Sequence, residues 1–360
     1  MYGEIQDAQT NLYRMFVYTI VENLGLCVEL KDDLKTYLRV LFWLQIALCT
    51  AGMAGSVVAV LVCLSRRLRS SCSVQLACLA LYDAFFLLAS LALSALALVD
   101  LWHCAVTKVF LAVRTLTLWG AAYTTLDICG ERCLSVACPF LAHRRFTAGL
   151  ALKRSGVILA LGVLFTLPFV LDLICGYSVG DDCVEDRQLT PFGLVYTLYV
   201  SLILLYLLPY AAIIAINIVF AVLLCRLRRR AVRPKGEDST AEQQLSALVL
   251  GLSGWYAASM LVPSLLFLVR LTRIELFEPG TDIRVAAAAD TVVVVSACSN
   301  FLFYFLLWRP CRQVLCGWLR DRTGSYRTGR TPSPTHTGSD HQHVVVSHHT
   351  DESGLQESSH

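Results

Sequence analysis

The stretch SVQLACLALYDAFFLLASLALSALAL, residues 73–98, carries a single charged side chain, Asp83, in a run of apolar and small residues. An α-helix of about 20 such residues crosses the hydrocarbon core of a bilayer, and a run this long is too uniform for one face of a soluble helix. Six further stretches of the same kind lie near 40–64, 106–136, 155–174, 192–225, 243–270 and 285–307. The pattern predicts an all-α membrane protein, a bundle of seven transmembrane helices. Composition agrees: of 360 residues 56% are hydrophobic and only 16% charged, and the mean hydropathy is +0.60, outside the range of ordinary soluble domains.

Charge sets the expected topology. Arg66, Arg67 and Arg69, then Arg144, Arg145, Lys153 and Arg154, then Arg226, Arg228, Arg229, Arg230, Arg233 and Lys235 fall on one side of the spans. The positive-inside rule makes that side cytoplasmic. The other side carries Asp181, Asp182, Glu185 and Asp186 in one loop and Glu275, Glu278 and Asp282 in the next. The N-terminus is therefore expected outside and the C-terminus inside. The net charge is only +3, and its basic residues crowd short loops instead of forming one surface, so nucleic acid is excluded as a partner. Met1 to Asn11 lacks the features of a cleavable signal peptide, which leaves insertion to the first span. Residues 12–30, interrupted by Arg14, Glu22, Asn23 and Glu29, read as an amphipathic extracellular segment.

The organisation that follows is an extracellular segment at 1–39, the bundle at 40–307, a juxtamembrane amphipathic helix at 308–320 after the break at Arg309 and Pro310, and a cytoplasmic tail at 321–360. The tail is rich in Ser, Thr, Gly, Pro and His and is expected to be disordered. The chain has no Asn-x-Ser/Thr acceptor, so no N-linked glycan is expected. Most of the 15 cysteines sit inside apolar runs, where a thiol packs as a small hydrophobe. Cys27, Cys104, Cys175 and Cys183 fall in or near extracellular segments, and four cysteines allow three pairings. Cys316, with Cys311 as a second position, is placed for lipidation at the membrane face.

Polar residues inside the spans are where function should lie. An unpaired charge at mid-span costs roughly 2.5–3.5 kcal/mol, so Asp83 requires a polar neighbourhood. The third span is the least apolar, with Lys108, Arg114, Asp127, Glu131 and Arg132, as suits a helix at the bundle centre. Arg114 precedes Arg132 by eighteen residues, and Asp290 precedes Asn300 by ten. Both lie at similar depth toward the outer side, and they are expected to pair across the bundle, either as a resting contact for which a ligand acid or an amidated terminus competes or as a permanent structural ion pair. Pro168, Pro209 and Pro263 interrupt the fourth, fifth and sixth spans and permit kinks. The tail histidines, His336, His341, His343, His348, His349 and His360, show no compelling ligand spacing, and no metal site is expected.

Two runs carry a resemblance. Glu131-Arg132-Cys133 ends the third span ahead of Ser135-Val136-Ala137-Cys138-Pro139, and the last span reads Ser296-Ala297-Cys298-Ser299-Asn300-Phe301-Leu302-Phe303-Tyr304. Together with the prolines they resemble rhodopsin-like G-protein-coupled receptors. Asn217, eight residues beyond Pro209, and Cys138-Pro139-Phe140-Leu141 are similar to invertebrate FMRFamide-type neuropeptide receptors. The likeness runs as scattered motifs from residue 40 to about 320. It departs at Ser56, where the family has Asn, at Leu261, where it has Trp, at Phe301, where it mostly has Pro, and in lacking the fourth-helix Trp.

The resemblance implies a receptor that binds a small amidated peptide outside and couples to a heterotrimeric G protein inside, performing no enzymatic chemistry. It implies that Glu131 holds Arg132 at rest, that Asn217, Asn300 and Tyr304 take part in activation, and that Asp83, Ser296 and Asn300 line a polar pocket for water and a sodium ion. Arg114 stands where amine receptors carry Asp, which disfavours an amine ligand. A Cys104–Cys183 disulfide is implied, with Cys175 as the alternative partner, although Cys104 lies one turn before the family position. Phosphate on Ser325, Thr328, Thr331, Ser333, Thr335, Thr337 and Ser339 would recruit an arrestin-like protein, and membrane lipids are the remaining partner. Two other classes compete with this one. A receptor for a non-peptide ligand fits the same motifs. A transporter or channel predicts inverted half-repeats, broken spans or a polar row through the membrane, and the sequence displays none of these.

Overall fold

The computed structural model describes residues 32–65, 68, 70–99, 104–175, 202–230, 237–271 and 279–324. Among them there is no strand. The elements are α1 (Asp32–Cys63), α2 (Ser71–Val99), α3 (Cys104–Ala137), α4 (Pro139–Arg145), α5 (Ala148–Cys175), a π-helical turn (Leu202–Leu207) running into α6 (Leu208–Arg230), α7 (Glu237–Leu271), α8 (Pro279–Leu307) and α9 (Arg309–Gly324). Seven of them, α1, α2, α3, α5, α6, α7 and α8, are long and apolar enough to cross a membrane. The seven-span bundle expected from hydropathy is the fold. The unit that holds the bundle ends at Gly317, and of the second unit, which begins at Trp318, only the end of α9 is described.

The bundle closes as a ring with α3 at its centre. α3 packs on α2, α5, α6 and α7, while α1 packs on α2 and α8, and α8 on α7. That central position explains how α3 carries more charge than any other span: its polar groups face protein instead of lipid. One apolar cluster fills the end of the bundle near Arg132, around Leu76, Ile128, Phe220, Leu248, Leu252 and Tyr304. A second fills the half near Arg114, around Phe86, Leu87, Met260 and Val294.

Several boundaries differ from those read in the sequence. α1 begins at Asp32, ahead of the apolar run, because Leu34 and Leu38 bury against Ala287 of α8 with Tyr37, Leu41, Phe42 and Ile283 around them. Arg284 stacks over the Tyr37 ring at 5.9 Å. α8 starts early for the same reason, with Pro279 at its first position, where a missing N–H costs nothing. The loop after α3 contains a short helix, α4, likewise opened by a proline, Pro139. The juxtamembrane helix runs to Gly324. The N-terminal segment, the acidic loop and the phosphorylation sites of the tail lie outside the described residues.

The π turn ahead of Pro209 also was not legible in the hydropathy. Proline removes one N–H and disturbs the helix upstream, and the Leu204 carbonyl accepts instead from the Tyr123 hydroxyl of α3 at 2.8 Å. α1 meets α8 through two glycines. A Cβ at Gly55 would stand 2.8 Å from the Phe301 ring, and one at Gly52 would stand 2.6 Å from the Cys298 sulfur. Small residues let helix backbones approach closely, and Phe301 fills the surface that Gly55 leaves open.

Replacing Gly55 with Leu should therefore cost about 1–3 kcal/mol through overpacking, seen as a lower melting temperature of the detergent-solubilised protein. Gly254→Leu, whose Cβ meets nothing within 4 Å, is the matched control and should leave melting unchanged. Equal effects of both would show that α1 and α8 are not packed this closely.

Candidate functional site

Polar side chains gather at three levels of the bundle. At the first, Arg114 of α3 forms an ion pair with Asp290 Oδ1 of α8, the pairing expected from their depths. Its surroundings were not anticipated. Gln45 Nε2 of α1 donates to Asp290 Oδ2 at 3.3 Å and to Thr291 Oγ1 at 3.0 Å. Ser94 of α2 donates to Gln45 Oε1 at 2.8 Å. The guanidinium of Arg114 lies 5.1 Å from the Phe86 ring centroid, a cation–π contact. Four helices thus meet at this level, and α1 and α3 reach the carboxylate itself. The Arg114 side chain is 14% exposed and that of Asp290 39%, so a molecule entering here meets the carboxylate more readily than the cation.

At the second level, Asn300 Nδ2 of α8 donates to Asp83 Oδ2 of α2 at 2.8 Å. Both residues are buried, and the bond answers the desolvation of a mid-span carboxylate. Ser296, expected to line the same pocket, accepts from the Ser259 hydroxyl of α7 at 2.8 Å and so ties α8 to α7. The Tyr304 hydroxyl is buried with no hydrogen-bond partner among the described residues. A sodium ion at this pocket would depend on the groups that face Asp83. A hard cation needs several oxygen ligands, whereas the group facing Asp83 is an amide N–H, a donor. The described residues satisfy Asp83 by hydrogen bonding and do not assemble a sodium site.

The third level lies at the opposite end of α3 from Arg114. Glu131 Oε2 accepts from Ser71 Oγ of α2 at 2.9 Å and pairs with Arg154 Nη2 of α5. One turn away, Asp127 Oδ2 accepts from Gln75 Nε2 of α2 and lies 3.3 Å from Arg154 Nε. Arg132 reaches Glu131 only at 3.7 Å, from Nη2 to Oε1. The implied Glu131–Arg132 pair is present, but Arg154 is the nearer partner.

Toward the same end, the Ser253 hydroxyl of α7 lies 2.8 Å from Asn217 Oδ1 of α6 and 2.7 Å from the Val249 carbonyl, sharing its hydrogen between them. The Arg309 N–H donates to Gln244 Oε1 of α7 at 3.2 Å, fastening α7 to the junction of α8 and α9. With Tyr304, Leu248 and Phe220 fully buried, α3, α6, α7 and α8 are closed against one another at this end.

Pro209 and Pro263 sit in α6 and α7 as expected, Pro263 inside its helix. Pro168 lies within α5, and its side chain is outside the described part. So are the side chains of Cys104 and Cys175 and all of Cys183, and with them the disulfide. Gln45, Gln75 and Arg154 are the residues that sequence reading missed as site members. The signal for the first two was the one used for Asp83, a polar group in an apolar run.

No protein-family model matches this chain, and none of the curated proteins matches it.

The two lipidation positions differ sharply. Cys311 is buried in the core cluster, and burial pushes its thiol up to about 11 against the opposing pull of Arg312. At neutral pH it offers almost no thiolate and no access. Cys316 is exposed. Metabolic labelling with a clickable fatty acid should therefore be lost in Cys316→Ser and kept in Cys311→Ser; the reverse result would show that the start of α9 opens in the membrane.

Proposed function

We propose that this chain is a rhodopsin-like G-protein-coupled receptor of the FMRFamide-type neuropeptide class, lying in the plasma membrane with the Arg114 end outside and the Arg132 end in the cytoplasm. The arginine-rich connections support that orientation. The observation that carries the reading is the Arg114–Asp290 pair. It joins α3 to α8 near one end, is partly open, and offers both a cation and a carboxylate to a ligand that can compete for them. An amidated peptide terminus supplies N–H donors for Asp290 and a carbonyl for Arg114, and it suits this pair better than a simple amine.

From there the helices that meet the ligand run to the other end. α8 carries Asp290, Ser296, Asn300 and Tyr304 in succession, and α3 carries Arg114, Asp127, Glu131 and Arg132. A ligand that binds one arrangement of α3 and α8 better than another shifts the population of the whole bundle. In the closed arrangement, α7 is held by Asn217 and by the Arg309 N–H. These are single hydrogen bonds, each worth about 0.5–1.5 kcal/mol, so a modest difference in ligand affinity opens them. Pro209 and Pro263 each remove a backbone donor and permit a kink at which the inner halves of α6 and α7 swing as rigid pieces. The crevice so formed receives the G protein, with Arg132 and the exposed Phe140 of α4 on its rim. No covalent chemistry is required of the chain.

The test is a second-messenger response in cells expressing the chain with a promiscuous G protein, challenged with a panel of amidated neuropeptides. A saturable response is expected that is lost in Arg132→Ala and shifted to at least about tenfold higher peptide concentration in Arg114→Ala and Asp290→Ala, corresponding to about 1.4 kcal/mol of lost recognition. Unchanged potency in both pocket variants would remove them from the ligand site. Silence of surface-expressed protein across the panel would favour a non-peptide ligand.

A further inference from the structure

Glu131 is one carboxylate with two arginines in reach, and the geometry decides between them. Arg132 is its neighbour in sequence, and side chains one residue apart on a helix diverge by about 100° and do not face each other. Arg154 arrives from α5 and meets Glu131 directly. Asp127 and Glu131 are four residues apart and so lie on one face of α3, where two like charges repel unless a cation is shared. Arg154 is that cation: Nη2 takes Glu131 and Nε stands 3.3 Å from Asp127. Ser71 and Gln75, also four residues apart on α2, add one donor to each carboxylate. The result is a ladder of two rungs across α2, α3 and α5, in which Glu131 Oε2 is filled by Ser71 and Arg154. Glu131 Oε1, Arg132 Nε and Arg154 Nε are left buried without a hydrogen bond among the described residues. Beyond the 3.7 Å contact to Glu131, Arg132 lies beside the Cys72 side chain.

We propose that Arg154 is a positioning residue for Arg132: by occupying Glu131 from α5 it keeps that carboxylate from closing on its sequence neighbour, so that the Arg132 charge is held ready to engage a partner at this end of the bundle. The choice between the two arginines rests on geometry alone; the use of the freed charge rests on the receptor reading. The consequence is a chain with ligand-independent signalling. In two carboxylates and two guanidiniums the charges balance, but the hydrogen bonds do not. Arg154 takes the direct hydrogen bond to Glu131 and an ion-pair contact with Asp127, and Arg132 keeps the longer contact. Removing Arg154 turns Glu131 toward Arg132 and quiets the chain, which is the opposite of what loss of a merely structural ion pair would do to a restrained receptor.

The experiment has two arms on the purified full chain in lipid nanodiscs. In the first, melting is followed for Arg132→Gln in the parent and in the Arg154→Gln background. The substitution is expected to shift the melting temperature little in the parent and to lower it clearly once Arg154 is gone, because Arg132 is then the sole cation on Glu131. Equal shifts in the two backgrounds overturn the proposal. Arg154→Lys guards against a misfolded variant: one ammonium cannot span both carboxylates as the guanidinium fork does, so the Arg132→Gln shift should be intermediate there, and a shift no larger than in the parent also overturns it. In the second arm, ligand-free nucleotide exchange on a heterotrimeric G protein is expected to fall about fivefold in Arg154→Gln, the low end of coupling between linked sites, and to recover partly in Arg154→Lys. Exchange that rises in Arg154→Gln overturns the positioning role. Exchange absent from the parent and every variant, beside the expected melting pattern, overturns the ligand-independent signalling while the partner choice of Glu131 stands, and the receptor reading is then decided separately by the peptide response.

Discussion

A carboxylate set into the middle of an apolar helix has to be answered from another helix, and in this bundle Asn300 answers Asp83 across α2 and α8. The same requirement organises the other polar levels. Asp290 is answered by Arg114 and Gln45, and Glu131 and Asp127 by Arg154 with Ser71 and Gln75. In lipid, apolar contact does not drive helices together, because hydrocarbon tails solvate Leu as well as another helix does. Close packing of small residues and hydrogen bonds between helices fix the arrangement. Gly52 and Gly55 provide the first between α1 and α8, and the polar levels provide the second among α1, α2, α3, α5 and α8.

This distribution of forces makes the bundle uneven in a useful way. α2, α3 and α5 are cross-braced by charged groups near the Arg132 end, whereas α7 is held to its neighbours there by single neutral hydrogen bonds through Ser253 and Gln244. Helices braced by paired charges resist separation, since parting them strands a charge in a medium of low dielectric. Helices joined by one neutral bond separate at small cost. The element able to move is thus α7, with α6 beside it, and each carries a proline. The stiff part, α3, carries the residues proposed to contact both ligand and partner.

Much of this could be read from the residues in order. Seven apolar runs define seven helices because the bilayer sets a length that few other environments demand. Asp83 and Asn300, and Arg114 and Asp290, could be matched because each was a rare polar group whose depth follows from counting along a helix. Depth counting fails where partners are many or where the polar group sits near a boundary. Arg154 belonged to a loop full of arginines, and nothing in its order along the chain distinguishes it from Lys153 or Arg145 as the partner of Glu131. Gln45 and Gln75 are uncharged and pass in a hydropathy profile. The early starts of α1 and α8 escaped because Leu34, Tyr37 and Ile283 bury against each other beyond the apolar run, which is a tertiary fact. The π turn before Pro209 depends on the Tyr123 hydroxyl of another helix.

The central claim, that a ligand-driven opening at the Arg132 end is how this bundle works, is tested most directly by a distance between α4 and α7. Spin labels on unnatural amino acids at Arg145 and Gln243, both exposed, avoid the native cysteines and can be read by pulsed electron resonance in nanodiscs. One short distance is expected in the protein alone, and a second population, longer by about 5 Å or more on the scale of rigid helix displacements, once an activating peptide and a nucleotide-free G protein are added. A single unchanged distance under every condition, in protein shown to bind the peptide, would contradict it.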